Sequence, residues 1–427
     1  MRPALASLLC LSTALSAGTP DRDAQVATAA EALRPTLVAE HRDFHAHPEL
    51  SNREVRTAKV VAERLRALGL EVRTGIARNG VVALLKGGKP GPVVAYRADM
   101  DALPILETHD VPYKSLNPGV MHACGHDAHT TIGLGVAAVL AGMRDRIPGT
   151  VKFLFQPAEE GAPDGEEGGA ALMIKEGALE QPAPAALFGL HVTNAYPAGT
   201  MALIPGAMLA SVDTWSATLH GKMSHGGAAP HKGIDAIEVA AQAIEALQTI
   251  RSRRVDPLEP LVLSVGTIHG GVRENVIADK VVMTGTLRTL SPEVRAQAKA
   301  LMQTLLDGVA RTNGATAELA FEPNAAYPAT VNDPALVAAT QPTLRRLLGP
   351  RLVTDARPVM GAEDFSFYQQ RIPGAYLWLG VTNAARGITA GVHTADFDLD
   401  EDALVVGVRT MSGVLLDYLE RGSTRPR

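Results

Sequence analysis

Two periodicities alternate along the chain. From about residue 25, apolar positions recur at helical spacing as far as HAHPEL, where Pro48 stops them; a second helical run extends from Glu54 to Leu68 and is closed by Gly69. Short apolar runs bounded by turn signals follow: VVALL at 81–85, PVVAY at 92–96, TVKFLF at 150–155 and AALFGL at 185–190. Each reads as a buried strand. Between the second and third lies the helical run TTIGLGVAAVLAG. Strands alternating with helices predict an α/β unit on a largely parallel sheet flanked by helices, and such sheets bind ligands beyond the carboxyl ends of their strands.

The texture changes near Pro205. SVDTWSATLHG alternates like a half-exposed strand, and a helix is predicted from about Asp235 to Ile250, with Ile237, Ala240, Ala241, Ile244 and Leu247 on one face. LVLSVGTIHGG and KVVMTGTLRT read as strands, Ser291-Pro292-Glu293 starts a second helix, and ATAELAFE reads as a last strand. These four strands and two helices form an α+β unit inserted into the larger one. The α/β texture then resumes with a helix at 334–348, the segment GAEDFSFY, the strand AYLWLG and the turn GVHTADFDLD. The expected division is a catalytic domain in two parts, 21–205 and 323–427, around an insertion at 206–322.

With 427 residues the chain exceeds one hydrophobic core, which agrees with two domains. Apolar residues at 46% and charged residues at 20% suit a globular protein, and the net charge of −5 argues against nucleic acid as a partner. The basic cluster RSRR at 251–254 reads as a solvated helix end. Residues 1–20 differ from the rest: Arg2, the apolar run ALASLLCLSTAL, then small residues at Ser16, Ala17 and Gly18. That is the layout of a secretory signal peptide, so the expectation is export to the periplasm or medium, with no membrane anchor after cleavage. Cys10 would leave with it, and Cys124 would be the one cysteine remaining.

That thiol sits in MHACGHDAHT, residues 121–130. It is open to three readings: a buried apolar thiol, a nucleophile, or a metal ligand. Asp99, the pair Glu159–Glu160 and His191 all fall at predicted strand ends, and Cys124 and His126 precede a helix on the same rim. Thiolate, imidazole and carboxylate together suit zinc or manganese, with cobalt or nickel also able to use them. Cys124, His126, Glu160, His191 and His393 are five donors, more than one tetrahedral zinc needs. Two divalent ions about 3.5–4 Å apart would use them all. Glu159 is then a candidate to take the proton of an activated water. His41, His45 and His47 read as helix-end histidines satisfied by backbone. G-x-S-x-G, HExxH, a P-loop and a dinucleotide-binding glycine motif are all absent from the sequence.

RADMDALP (97–104), HACGHDAHT (122–130), FQPAEEG (155–161), GLHV (189–192), SHGGAAPH (224–231), GAEDF (361–365) and HTADF (393–397) occur in this order. On these motifs, from about residue 30 to 420, the chain resembles the dinuclear metallo-aminoacylases and carboxypeptidases of peptidase family M20, in the branch with hippurate hydrolases and IAA-amino acid hydrolases. The resemblance implies a two-metal catalytic domain and an inserted lid that forms a homodimer interface. It assigns Cys124, His126, Glu160, His191 and His393 as ligands and Glu159 as general base. Asp99 resembles an aspartate that orients a histidine or tunes the site. His225 resembles the histidine that reaches across the dimer to the scissile carbonyl, and Asn275 and Arg288 resemble groups that hold the substrate carboxylate. The implied substrate is an N-acyl amino acid or a short peptide. A non-catalytic metal- or peptide-binding role is the remaining alternative.

Overall fold

The computed structural model describes residues 19–423. The expected signal segment, residues 1–20, lies outside the described residues apart from Thr19 and Pro20, which open the first helix. The apolar runs fold as the strands Gly80–Lys86, Lys89–Asp99, Pro148–Gln156 and Leu187–Pro197. Pro148–Gln156 is buried along almost its whole length, which explains why it reads as a continuous apolar run rather than an alternating one. Together with Glu71–Ile76, Met201–Ala202, Leu352–Val353 and Gly374–Thr382 these strands form one eight-stranded sheet.

At the centre, Pro148–Gln156, Lys89–Asp99, Leu187–Pro197 and Gly374–Thr382 run parallel. The sheet as a whole is mixed. Glu71–Ile76 and Gly80–Lys86 pair antiparallel, because a connection of residues 77–79 is too short for the crossover that parallel pairing needs. Gly80–Lys86 also runs antiparallel to Pro148–Gln156, and Met201–Ala202 antiparallel to Gly374–Thr382. The helix His126–Ala141 is buried nearly all round. It packs on the sheet beside Asp402–Ser423, a C-terminal helix of 22 residues that also covers the central strands and is not among the elements expected from sequence. Among the described residues no helix is long and apolar enough to cross a membrane.

The four strands and two helices of the insertion are present. An antiparallel sheet in the order Leu261–Gly270, Lys280–Thr289, Ser211–His220, Thr316–Tyr327 carries the helices Ala236–Thr249 and Pro292–Thr312. Ser211–His220 alternates strictly between buried and half-buried positions, as its sequence does. Trp215, Leu247, Met283, Leu287 and Met302 belong to a core of its own. Asp235 accepts the amides of Ile237 and Glu238, and Ser291 that of Val294, so both helices start at side-chain caps.

Candidate metal centre and active site

The loops that follow the parallel strands meet on one rim. Asp101 lies just past the end of Lys89–Asp99, Glu159 and Glu160 just past Pro148–Gln156, and His191 is carried by Leu187–Pro197. Cys124 and His126 flank Gly125, whose φ is +84° and where a Cβ would come within 2.4 Å of Val192 Cγ2. Only glycine lets this loop press against the His191 strand. Ala158, just before Glu159, and His393 also have positive φ, 55° and 64°. Such strained backbone persists where the surroundings hold it. Here the amide of Ala158 donates to Glu54 Oε1 at 2.9 Å, and that of His393 to the Ala123 carbonyl at 2.7 Å.

All five expected ligands and Glu159 come together. Donor atoms of Cys124, His126 and His191 lie within 4.8 Å of one another, as do those of Cys124, Glu160 and His393, and those of His126, Glu159 and Glu160. Cys124 Sγ is 3.4 Å from His191 Nε2 and 3.2 Å from His393 Nε2, which is 3.1 Å from Glu160 Oε1. His191 Nδ1 donates to the Val192 carbonyl at 2.7 Å, so its Nε2 lone pair faces the thiol. His126 Nδ1 donates to Asp101 Oδ1 at 3.2 Å. Its Nε2 is buried without a hydrogen-bond partner, 3.8 Å from Glu159 Oε2. An unpartnered imidazole nitrogen beside carboxylates is a position that a divalent cation can take once the proton leaves, with the far ring nitrogen anchored as ligating histidines require.

The electrostatics agree. Burial disfavours a charged His126, but Asp99, Asp101 and Glu160 prevail and raise its pKa to about 10. Burial, followed by the carboxylates of Glu160, Glu159 and Asp99, pushes the Cys124 thiol well above its ordinary value. Burial and the neighbouring Glu363, Glu160 and Asp364 hold Glu159 well above the usual carboxylate range. The cluster therefore retains protons that bound cations would displace.

Asp99, expected to orient a histidine or tune the site, is fully buried behind the rim, where the ring it holds is that of His129. It accepts from His129 Nδ1 at 2.5 Å, while His129 Nε2 accepts the Val192 amide at 2.9 Å. Its other oxygen is ion-paired with Arg97, whose buried guanidinium also reaches Gln156, Glu363 and Asp364 at 2.9, 3.0 and 2.8 Å. The carboxylate on His126 is that of Asp101, two residues further along and beyond the sheet edge. Asp101 also accepts the amides of Glu159 and Glu160 at 3.1 and 3.0 Å and the Ser51 hydroxyl at 2.7 Å.

A cavity of about 620 Å³ opens over the cluster, lined by Cys124, Glu159, Glu160, His191 and His393. Leu209, Val359 and Trp378 form apolar walls, and Tyr196 also contributes. Arg288 lines it from the inserted unit, with Nη1 donating to the Met360 carbonyl at 2.9 Å. Arg357 and Tyr327 line it as well, and no motif pointed to either; the Tyr327 hydroxyl donates to the backbone carbonyl of Glu159 at 2.9 Å. His225 and Asn275 do not line this cavity. They stand together on the inserted unit, where the Gly226 amide donates to the Asn275 carbonyl at 2.8 Å. His225 Nδ1 accepts the amides of Gly227 and Ala228, both at 3.1 Å, which places the ring proton on the exposed Nε2.

His41 and His45 differ from expectation. Carboxylates rather than backbone face them: Glu401 bonds His41 Nδ1 at 3.0 Å and Asp127 lies 3.3 Å from its Nε2, while Asp127 and Glu107 bond His45. His47 does bond backbone, through Nδ1 to the Asp43 carbonyl at 2.8 Å.

A buried thiol–imidazole–carboxylate cluster at the carboxyl edge of an α/β sheet, with a second buried carboxylate of raised proton affinity beside it, is the site of a metal-dependent hydrolase. Residues 95–417 match the model of peptidase family M20/M25/M40. The chain belongs to this family and is an amide-bond hydrolase. It is 42% identical to thermostable carboxypeptidase 2 of Saccharolobus solfataricus over 87% of this chain and 92% of that one. It is 39% identical to the IAA-amino acid hydrolase ILR1-like 4 of Arabidopsis thaliana over 90% and 86%. Among solved structures it resembles the Bacillus subtilis YXEP protein, described as a dinuclear metal binding peptidase, with a TM-score of 0.79, 36% identity, and coverage of 91% and 99%.

Proposed function

We propose that the protein cleaves the amide bond of N-acyl amino acids, using two divalent ions, zinc or manganese, held by Cys124, His126, Glu160, His191 and His393. The observation that carries this reading is the convergence of those five donors and Glu159 beneath a cavity with apolar walls and two arginines. The bound ions would supply Lewis acidity toward the scissile carbonyl and toward water.

The chain's own groups do the rest. Glu159, buried and with a raised proton affinity, takes the proton of the attacking water and returns it to the leaving amine. His225 of a second copy, with its proton already on Nε2, donates to the oxygen that gains charge. This role requires a homodimer formed through the inserted unit. Cleavage of short peptides is the second reading, favoured by the relative named a carboxypeptidase. Assays of acetyl-, benzoyl- and indoleacetyl-amino acids beside dipeptides, with the metal varied, separate the two. No cleavage across that panel at full metal occupancy would leave only a binding role. We further propose that residues 1–20 direct export, which predicts that mass spectrometry of the secreted protein finds the first residue close to Thr19.

A further inference from the structure

Glu54 is a fully buried carboxylate that neither the proposed ligand set nor the proposed proton transfers use. It stands at the start of the helix Val55–Ala67, yet its side chain does not cap that helix. Glu49 does so instead, accepting the amides of Arg56 and Thr57 at 3.0 and 2.8 Å. Glu54 Oε1 reaches across to the loop that follows Pro148–Gln156 and accepts the Ala158 amide at 2.9 Å. The same oxygen accepts the Asn52 amide, also at 2.9 Å, and Oε2 accepts the Asn79 side-chain amide at 3.1 Å. None of these three donors carries a charge. Burial, and then the charge of Asp101, raise the pKa of Glu54 to about 7. A carboxylate is costly in such a place, and its hydrogen bonds offset that cost.

Three consecutive amides of the loop that carries Glu159 therefore end on two buried carboxylates. That of Ala158 meets Glu54, and those of Glu159 and Glu160 meet Asp101. The two carboxylates differ in what they hold. Asp101 also bonds His126, whereas on this loop Glu54 bonds only the residue whose φ is 55°. Alanine takes that left-handed conformation at a cost that an outside contact must offset. Without the contact, Ala158 would relax towards negative φ, and the change would pass to Glu159, the next residue.

We infer that Glu54 is a positioning residue for the base: it holds the left-handed turn at Ala158 that aims Glu159 at the donor cluster. The inference rests on the role proposed for Glu159 and adds the group that keeps that side chain in place. Glu54 touches neither substrate nor metal and acts through one backbone amide.

The test uses the metal-loaded full-length protein with acetyl-, benzoyl- and indoleacetylglycine beside glycylglycine. On whichever probe the wild type cleaves, Glu54→Ala should lower kcat on the order of tenfold to a hundredfold, the range for a reacting group misplaced by up to about 1 Å. KM should change little, and metal content by elemental analysis should stay at the wild-type value. Glu54→Gln keeps an oxygen for the Ala158 amide and should recover most of the rate. Asn79→Ala removes only the bond to the other oxygen and should leave kcat near wild type. Ala158→Gly added to Glu54→Ala should restore part of the loss, because glycine takes a positive φ without strain. A merely structural role for Glu54 predicts no such rescue. Hydrogen exchange of the peptide spanning 155–161 is a readout independent of cleavage, and Glu54→Ala should speed it. Loss of metal, an unchanged kcat, or a fall in kcat that neither Glu54→Gln nor Ala158→Gly reverses overturns the inference. Faster exchange in Glu54→Ala, where the wild type cleaves none of the four probes, would overturn the proposed function and leave Glu54 as the group that holds the turn.

Discussion

Asp101 Oδ1 accepts both the Nδ1 proton of His126, at 3.2 Å, and the backbone amide of Glu159, at 3.1 Å. One oxygen atom thus sets the orientation of the imidazole proposed to bind metal and the position of the proposed base. Asp101→Asn keeps the shape but offers a weaker acceptor. It should lower metal affinity about 10- to 100-fold, the usual result of removing a partner of a ligating histidine. Asp99→Asn should act differently, because it removes one anion from the buried Arg97. The expected result is a loss of about 3 kcal/mol of stability with smaller change in metal affinity. Metal titrations and denaturant unfolding of the two variants distinguish these outcomes.

Glu159→Gln should lower turnover by about 10²- to 10⁴-fold, the contribution of a positioned general base. Metal content measured by elemental analysis should not change, since the five donors remain. Near-normal turnover in this variant would remove Glu159 from its assigned role.

Chelation should abolish activity reversibly. It should also alter the reactivity of Cys124, the one free cysteine among the described residues. Without metal the thiol is buried and holds its proton, so alkylation should be slow at neutral pH. Mass spectrometry after treatment with iodoacetamide reads this directly. Rapid labelling of the chelated, folded protein would contradict the buried site.

Co-expression tests the contribution of His225 from a partner. Glu159→Gln and His225→Ala should each be nearly inactive alone. Random pairing makes half the dimers mixed, and each mixed dimer contains one intact site, so activity should return to roughly a quarter of wild type. A site completed within one chain would show no recovery.

His45 predicts a pH dependence of stability. Burial opposes its charge, but the bonds to Asp127 at 2.7 Å and Glu107 at 3.3 Å raise its pKa from 6.5 to about 10. A folded-state pKa above the unfolded value means the contribution is complete below about pH 6.5 and is lost as pH rises through about 10. The stability difference between wild type and His45→Gln, measured at saturating metal, should be a few kcal/mol at pH 6 and shrink towards pH 10. A difference constant across that range would show that the ion pairs contribute nothing.

The five candidate donors are legible because each lies in a short motif at a strand end, a helix start or a turn, where the chain pattern and the chemistry coincide. Asp99 and Asp101 are not separable that way. Two carboxylates at i and i+2 project to the same side of an extended strand, and only the depth of the Arg97 pocket decides which one reaches the rim. Arg357 lies in TDARPVM, where no periodicity gives it a direction. Met201–Ala202 and Leu352–Val353 hold two residues each, too few to carry a period. The C-terminal helix is a different case: Leu404, Val408, Met411, Leu415 and Leu419 repeat at helical spacing and are all buried, so its signal is present in the sequence.

The bond from the Tyr327 hydroxyl to the carbonyl of Glu159 ties the last strand of the inserted unit to the loop that carries the base. If the unit swings aside to release product, it must either break this tether or drag the Glu159 loop with it. In the second case, opening the cleft also pulls Glu159 from the position that Asp101 gives it, so that the proposed proton acceptor is in place only while the cleft is closed.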